Sequence, residues 1–159
     1  MKSNTLQKAI NGAFRYALHK RHEFISAEHL LLALMHDCEI AMFLNERGVS
    51  IRDMHREVVD SVAKHTPSLS SDAPEKYSEH RRTRPTQGFE RVLQRANFLA
   101  ECAGKKDVPT PYALLALFAE HDSFAKFLLA KHGIKRMDVA EYVEHRPICQ
   151  GYRIAKQAS

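Results

Sequence analysis

The sequence predicts an all-α fold: a pseudo-two-fold, duplicated four-helix repeat, with about eight short helices in all, joined by a long loop. Two observations predict it. Apolar residues recur at helical spacing through most of the 159-residue chain, and residues suited to helix starts precede these runs. The pattern of residues 6–62 also returns, in weaker form, at residues 89–145. Repetition of core positions together with their helix stops indicates a duplicated unit.

The first repeat, about residues 4–65, begins with two predicted helices. The first has a capping-box-like start at Asn4 and Gln7 and carries its apolar residues on one stripe. That stripe consists of Leu6, Ile10, Ala13, Phe14, Ala17 and Leu18. The second helix begins after Ser26 as N-cap, and Glu28 in its first turn favours the positive end of the helix dipole.

Two further helices complete the first repeat. The third runs roughly from Glu39 to Arg47, with Asp37 near its start and Gly48 as a left-handed stop. Ser50 caps the fourth helix, which has a regular apolar stripe. The stripe residues are Ile51, Met54, Val58 and Val62.

Residues 66–88 show no apolar period and are interpreted as a linker or long surface loop. The segment is bounded by Pro67 and Pro85 and contains the basic run His80–Arg84. Loops of this length in a small domain are usually functional or mobile. The basic run could bind phosphate, but it has no interleaved aromatic residues, so a solvated loop is the preferred interpretation.

The second repeat spans about residues 89–146, and residues 147–159 form a tail. An offset of 83 residues maps the apolar block 31–34 onto 114–117. Because such blocks occupy the same face of equivalent helices, the two repeats are expected to share their core positions.

The sequence of the second repeat also predicts where one of its helices ends and where another begins. After two inserted residues, Gly48 maps onto Gly133, which predicts a second left-handed helix end. The sixth helix is predicted to begin with Thr110 as N-cap and Pro111 at the first helical position. This start is one residue out of register with Ser26.

Composition excludes several classes of protein. Apolar content of 44% and charged content of 27% are ordinary for a globular domain, and no membrane contact is expected. The N-terminus lacks the features of a secretory signal, and the three cysteines form no CxxC pair, which favours reduced thiols in the cytoplasm. A net charge of +5 is too small to indicate nucleic-acid binding by itself.

Ten histidines raise the possibility of a metal site. His19 and His22, at i and i+3 near a helix end, lie close to Glu23 and could hold adventitious zinc. Isolated surface histidines are the preferred interpretation, so no metal site and no cofactor are expected. His36 and Cys38 flank a predicted turn, for which a buried thiol is favoured.

No feature of an enzyme is found in the sequence. No cysteine or serine carries the surroundings of an activated nucleophile, and the phosphate-binding pattern GxxxxGK[ST] does not occur. The chain is therefore not expected to be an enzyme. Phenylalanines on the helical stripes are interpreted as core residues: Phe14, Phe43, Phe98, Phe118 and Phe127.

Five motifs carry a family resemblance: Arg21-His22-Glu23-Phe24, Glu28-His29-Leu30-Leu31-Leu32-Ala33-Leu34, Thr66-Pro67, Phe89 with Arg91-Val92-Leu93-Gln94-Arg95-Ala96, and Leu129-x-Lys131-His132. Over about residues 1–146 the chain resembles the N-terminal domain of the Clp/Hsp100 AAA+ unfoldases, ClpA type. The resemblance implies a helical pseudo-repeat that docks the adaptor ClpS and protein substrates. In that family, attached ATPase rings unfold the substrates and deliver them to the protease ClpP.

The resemblance also implies a partner-binding surface. Its charged residues at the start of the second helix are His22, Glu23 and Glu28. The segment entering the fifth helix contributes Thr86, Arg91 and Arg95, of which the two arginines lie on one helical face and could pair with acidic groups of a partner. The linker is longer and more basic than in ClpA. A free-standing regulator acting in trans and, on charge alone, a nucleic-acid-binding domain are the alternatives.

Overall fold

A computed structural model describes residues 5–69, 83–121 and 123–145. These residues form eight α-helices and two very short strands. The elements in chain order are α1 Thr5–His19, β1 Phe24–Ile25, α2 Ala27–Leu34, α3 Cys38–Glu46, α4 Ile51–His65, β2 Arg84–Pro85, α5 Gln87–Cys102, α6 Thr110–Leu117, α7 Phe124–Lys131 and α8 Arg136–His145. The all-α prediction is confirmed. Asn4, residues 80–82 of the basic run, Cys149 and the predicted tail lie outside the described residues.

The helix bounds confirm the duplicated four-helix unit. α6 begins and ends 83 residues after α2, and α8 begins 85 residues after α4. Gly48 and Gly133, which follow α3 and α7, have φ angles of 79° and 85°. Both glycines therefore end their helices in the left-handed conformation that the sequence predicted.

Two predicted boundaries are corrected, the start of α6 and the end of the loop at residue 88. The N-cap of α6 is Pro109, and Thr110 is the first helical residue, in register with Ala27. The Thr110 side chain does not cap the helix, because it is buried and its hydroxyl donates to Asp37 Oδ2 at 2.7 Å. α5 begins at Gln87, since Thr86 is its N-cap and accepts a hydrogen bond from the Phe89 backbone N–H.

The core lies around α2 and α6. All eight residues of α6 are buried, as are six of the eight in α2. α1 packs against α2, and α5 packs against α6 in the same way. Leu18, predicted to lie on the apolar stripe of α1, is 59% exposed. The buried stripe runs through Ala13 and Ala17, and Leu18, the next residue, is rotated by about 100° about the helix axis from Ala17. Among the helices of the described residues, none combines the length and the hydropathy that a membrane-spanning segment requires.

A small backbone arrangement that the sequence did not predict ties both ends of the long loop to the first repeat. β1 pairs in parallel with β2, and Arg84 N–H donates to the Glu23 carbonyl at 3.0 Å. On the other side of the same segment, Glu23 N–H donates to the Pro67 carbonyl at 2.7 Å. The segment between α1 and α2 therefore lies between the beginning and the end of the loop.

Candidate functional site

A cavity of about 380 Å³ lies where the start of α2, the end of α4 and the starts of α5 and α7 meet. Its lining residues are Phe24, Ser26, Glu28, Ser61, Val62, His65, Thr66, Thr86 and Phe124. The cavity brings together Glu28 and Thr86, which were predicted as partner contacts from distant parts of the chain. The packing of the two repeats therefore joins both predicted segments at one place on the surface.

Each of these two residues also has a structural role. Glu28 Oε2 accepts hydrogen bonds of 3.0 Å from the Ser123 hydroxyl and from the Ala125 backbone N–H. Its carboxylate thus caps the first turn of α7 and links the two repeats. Thr86 is held in place as the N-cap of α5. The sequence did not indicate the contact between Glu28 and α7.

The prediction of His22 as a charged surface residue is corrected by the structure. The side chain is only 5% exposed, and its Nδ1 lies 3.0 Å from Nε2 of the buried His29. Ser26 is the N-cap of α2, as predicted, and its backbone N–H donates to His29 Nδ1 at 3.0 Å. The His22 side chain is therefore buried against His29 at the start of α2, and it is not positioned to contact a partner.

Both imidazoles of this pair are held neutral. Burial, with a smaller contribution from His22, lowers the pKa of His29 to about 4. Burial and the nearby Lys20 lower the pKa of His22. Since the Ser26 N–H occupies Nδ1 of neutral His29, the ring proton lies on Nε2 and is donated to His22. The pair forms one hydrogen-bonded chain with the start of α2.

The predicted zinc ligands do not converge. His22 turns inward to His29, and among the described residues no group of three or more possible metal ligands comes together. Cys38, for which a buried thiol was predicted, is exposed because it is the first residue of α3 and lies outside the buried stripe of that helix. The absence of a cofactor stays a prediction.

Arg91 and Arg95, which were predicted to pair with acidic groups of a partner, bind a carboxylate of this chain. Arg91 donates from Nε and Nη2 to the two oxygens of Glu120 at 3.0 and 2.9 Å, and Arg95 Nη1 donates at 3.2 Å. The Arg91 hydrogen bond, followed by that of Arg95, lowers the pKa of Glu120 against the effect of burial. The two arginines therefore hold the segment that follows α6, although half of the Arg91 side chain is exposed.

Exposed aromatic side chains stand beside the cavity. Phe24 is 36% exposed and Phe127 is 57% exposed, and the Phe127 ring packs against Phe124 with centroids 5.3 Å apart. We name Phe24, Phe124 and Phe127 the aromatic patch. The prediction of Phe127 and Phe98 as core residues is wrong, because α7 buries Ala125, Leu128 and Leu129 and α5 buries a different face. The i, i+3 spacing of Phe124 and Phe127 places both rings on one face of a helix, and this feature of the sequence could have indicated the patch.

Comparison with known proteins identifies the domain type. The family model described as the Clp repeat (R) N-terminal domain matches residues 1–132. A curated relative, the "ClpA homolog protein" of Fuscovulum blasticum, is 31% identical over 143 residues, which are 90% of this chain. The chain spans 17% of the length of that relative.

Solved structures support the same fold. The Hsp104 N-terminal domain of Candida albicans superposes with a TM-score of 0.74 at 19% identity, covering 94% of this chain and 93% of that one. The ClpV N-domain, solved in complex with a VipB peptide, has a TM-score of 0.64 at 18% identity, covering 89% of this chain and 83% of that one. At these identities the similarity is one of fold.

Proposed function

The chain belongs to the family of Clp repeat N-terminal domains, and on that basis we propose that it is the protein-docking module of a ClpA-like ATP-dependent unfoldase. As a domain of this type it binds proteins and is not itself an enzyme. In our proposal it works in the cytoplasm, where it docks a ClpS-like adaptor and protein substrates. ATPase rings would unfold those substrates, and a ClpP-type protease would degrade them.

The observation that carries this proposal is the aromatic patch beside a cavity that joins both repeats. Protein interfaces centre on aromatic anchors and pockets that exclude water, surrounded by a polar rim. Here Phe24 and Phe124 line the cavity, and Thr86 supplies a polar edge. The similar fold of the ClpV N-domain, solved with a bound VipB peptide, supports a peptide-docking role.

The charge beside the patch favours a partner with a basic group. Within the described residues the half-buried Glu23 side chain makes no hydrogen bond or ion pair, whereas its backbone is fully used in the pairing around β1. An apolar side chain of the partner would enter the cavity, and a neighbouring basic side chain of the partner would form an ion pair with Glu23. Such charge pairs at the edge of an interface act mainly on specificity and association rate.

The arginines of α5 are poor choices for testing this surface. Reversing the charge of Arg91 or Arg95 would place a new carboxylate beside the nearly buried Glu120. A loss of binding could then not be separated from a loss of stability. The exposed aromatic residues avoid this difficulty, since trimming them leaves the ion pair intact.

We therefore propose to titrate the full chain with a purified ClpS-like adaptor by calorimetry. Phe24→Ala and Phe127→Ala should each weaken binding at least tenfold, the effect of removing an interface residue worth about 1.4 kcal/mol or more. Phe98→Ala is the matched control, because Phe98 is 63% exposed and does not line the cavity. Equal weakening by all three variants, or no binding by the unmodified chain, would contradict the proposal.

The same titration separates the alternatives. Binding to a labelled oligonucleotide that falls steeply with salt, without binding to the adaptor, would favour a nucleic-acid-binding domain. A free-standing regulator would bind as the docking module does, so it is distinguished by the gene: ATPase motifs in the same reading frame would exclude it.

A further inference from the structure

A second, larger groove of about 960 Å³ lies between α1 and α2 and extends to the start of α3 and to α4. Its floor includes small and apolar residues: Gly12, Ala13, Leu32 and Ala33. Its basic lining residues and histidines are Lys8, Arg15, His19, His29, His36 and His55, and its one acidic lining residue is Asp37. The groove shares no lining residue with the cavity beside the aromatic patch.

The second repeat shows what occupies the equivalent place. With the offset of 83 residues that relates α6 to α2, Lys8 corresponds to Arg91 and Gly12 corresponds to Arg95. In the second repeat these two arginines extend over α6 and bind Glu120. In the first repeat Gly12 has no side chain to do so. The same site is therefore filled by an internal ion pair in one repeat and open in the other.

The carboxylate that lines the open site, Asp37, is already engaged by other groups of this chain. Asp37 corresponds to Glu120, but its Oδ2 accepts hydrogen bonds from the Ile40 N–H at 3.2 Å and from the Thr110 hydroxyl at 2.7 Å. Lys8 and Arg15 are exposed and make no ion pair with the described residues. The groove consequently carries two cationic side chains, and its one lining carboxylate, Asp37, forms an ion pair with neither of them.

Packing does not require a glycine at the floor of the groove. A Cβ at Gly12 would lie 3.8 Å from the Cβ of Ala33, an ordinary van der Waals contact. A glycine inside a helix such as α1 is less favourable than alanine, because it loses more backbone freedom on folding. The missing side chain at position 12 thus leaves the groove open at some expense of helix stability.

We propose that this groove docks an acidic, amphipathic segment of a partner protein, at a site separate from the proposed adaptor surface. Apolar side chains of the segment lie on the floor formed by Gly12 and Leu32, and its carboxylates pair with Lys8 and Arg15, as Glu120 pairs with the arginines of α5. Charge disfavours the chain's own C-terminal segment as occupant, because residues 146–159 contain three basic residues and no acidic one.

The test uses a fluorescein-labelled synthetic helix of about fifteen residues, with leucine and phenylalanine on one face and glutamate on the other. Anisotropy of this probe is followed as the full chain is added, and a second probe carries lysine in place of glutamate. We expect the unmodified chain to bind the glutamate probe and not the lysine probe. Absence of binding to the glutamate probe, or equal binding of both probes, overturns the proposal.

The variant Gly12→Arg distinguishes occupation of the groove from simple charge attraction. Because it copies Arg95 of the second repeat, the new side chain should fill the groove and weaken binding at least tenfold. Attraction to the surface charge alone predicts tighter binding, since the variant adds a positive charge. Asn11→Arg is the matched control: it adds the same charge at an exposed position of α1 outside the groove lining, so binding should stay the same or tighten slightly.

Two further measurements complete the test. Gly12→Ala, which adds only a methyl group, should retain binding, and circular dichroism melting should show that every variant is folded. Phe24→Ala should leave binding of the glutamate probe unchanged, so that failure of the adaptor proposal and failure of this one are separate results. Self-association of the unmodified chain in sedimentation, abolished by Gly12→Arg, would assign the groove to a second copy and overturn the proposal.

Discussion

Replacing His29 by glutamine should remove much of the acid sensitivity of this fold. His29 is 1% exposed, and burial lowers its pKa from 6.5 to about 4. The folded state therefore keeps this residue neutral, whereas the unfolded chain takes up a proton below pH 6.5. The contribution of His29 is fully present above pH 6.5 and is lost progressively as the pH falls from 6.5 to 4.

The size of the effect follows from the pKa values. A fall of about 2.5 in pKa corresponds to a total loss of about 3 kcal/mol, of which about 2 kcal/mol is lost by pH 5. The groups around the ring are His22, whose charge would oppose protonation, and Glu28, whose charge would favour it. Protonating His22 would also place two N–H groups against each other across the 3.0 Å contact between the rings, and protonating His29 would do the same across its 3.0 Å contact with the Ser26 backbone N–H.

The assay is urea unfolding between pH 7.5 and pH 5. In this range the lowered carboxyl pKa values of Glu57 and Glu120 make only a small contribution, because most of the stability they supply is lost as the pH falls through and below about 4.5. The His29→Gln variant should lose about 2 kcal/mol less than the unmodified chain over the range. His22 and His55, whose pKa values are also lowered by burial, should leave it some acid sensitivity.

His19→Gln is the control, because His19 is exposed at the end of α1. It should lose as much stability on acidification as the unmodified chain. Only the difference between pH values is compared, so any destabilisation caused by the glutamine itself cancels. If His29→Gln and the unmodified chain lost the same stability between pH 7.5 and pH 5, the buried pair would not be the source of the acid sensitivity.

Three further predictions concern the ion pair, the core and catalysis. Glu120→Gln should lower the melting temperature at pH 7, because Arg91 and Arg95 would lose their carboxylate partner. At pH 3.5 the difference in melting temperature from the unmodified chain should shrink. Equal melting temperatures at pH 7 would contradict this prediction. Leu31→Ala and Leu115→Ala should each reduce the free energy of unfolding by about 2–5 kcal/mol in urea, since both side chains are buried on equivalent helices, and a loss below about 1 kcal/mol at both would mean that the repeat cores were misassigned. The purified chain should hydrolyse neither ATP nor a casein reporter above buffer, and turnover that disappears on heat denaturation would overturn this.

Local features of the sequence were sufficient to predict most of the helices. Asp37 and Ser50 do cap α3 and α4, with hydrogen bonds from the backbone N–H three residues later. The stops at Gly48 and Gly133 are equally local, since a left-handed residue ends a helix wherever it stands. Periodicity revealed the duplication because core positions recur at an offset of 83 residues, which becomes 85 after the two-residue insertion.

The candidate site was predicted only in outline. Two of the six predicted residues, Glu28 and Thr86, line one cavity, but His22 is buried and the two arginines bind Glu120. The exposure of Phe24 was not predicted. A helical stripe shows which residues share a face, whereas the neighbour that covers or exposes that face is set by the packing of other elements.

The sequence by itself therefore determined the helices, their ends and their repetition, because these depend on interactions among residues within one or two turns. The tertiary structure alone decided which charges meet. Glu28 reaches the start of α7, and Arg91 reaches Glu120 in the segment after α6. These contacts join residues that lie 97 and 29 positions apart. Side-chain type does not specify such partners, since any exposed carboxylate could serve an arginine equally well until packing brings one of them within reach.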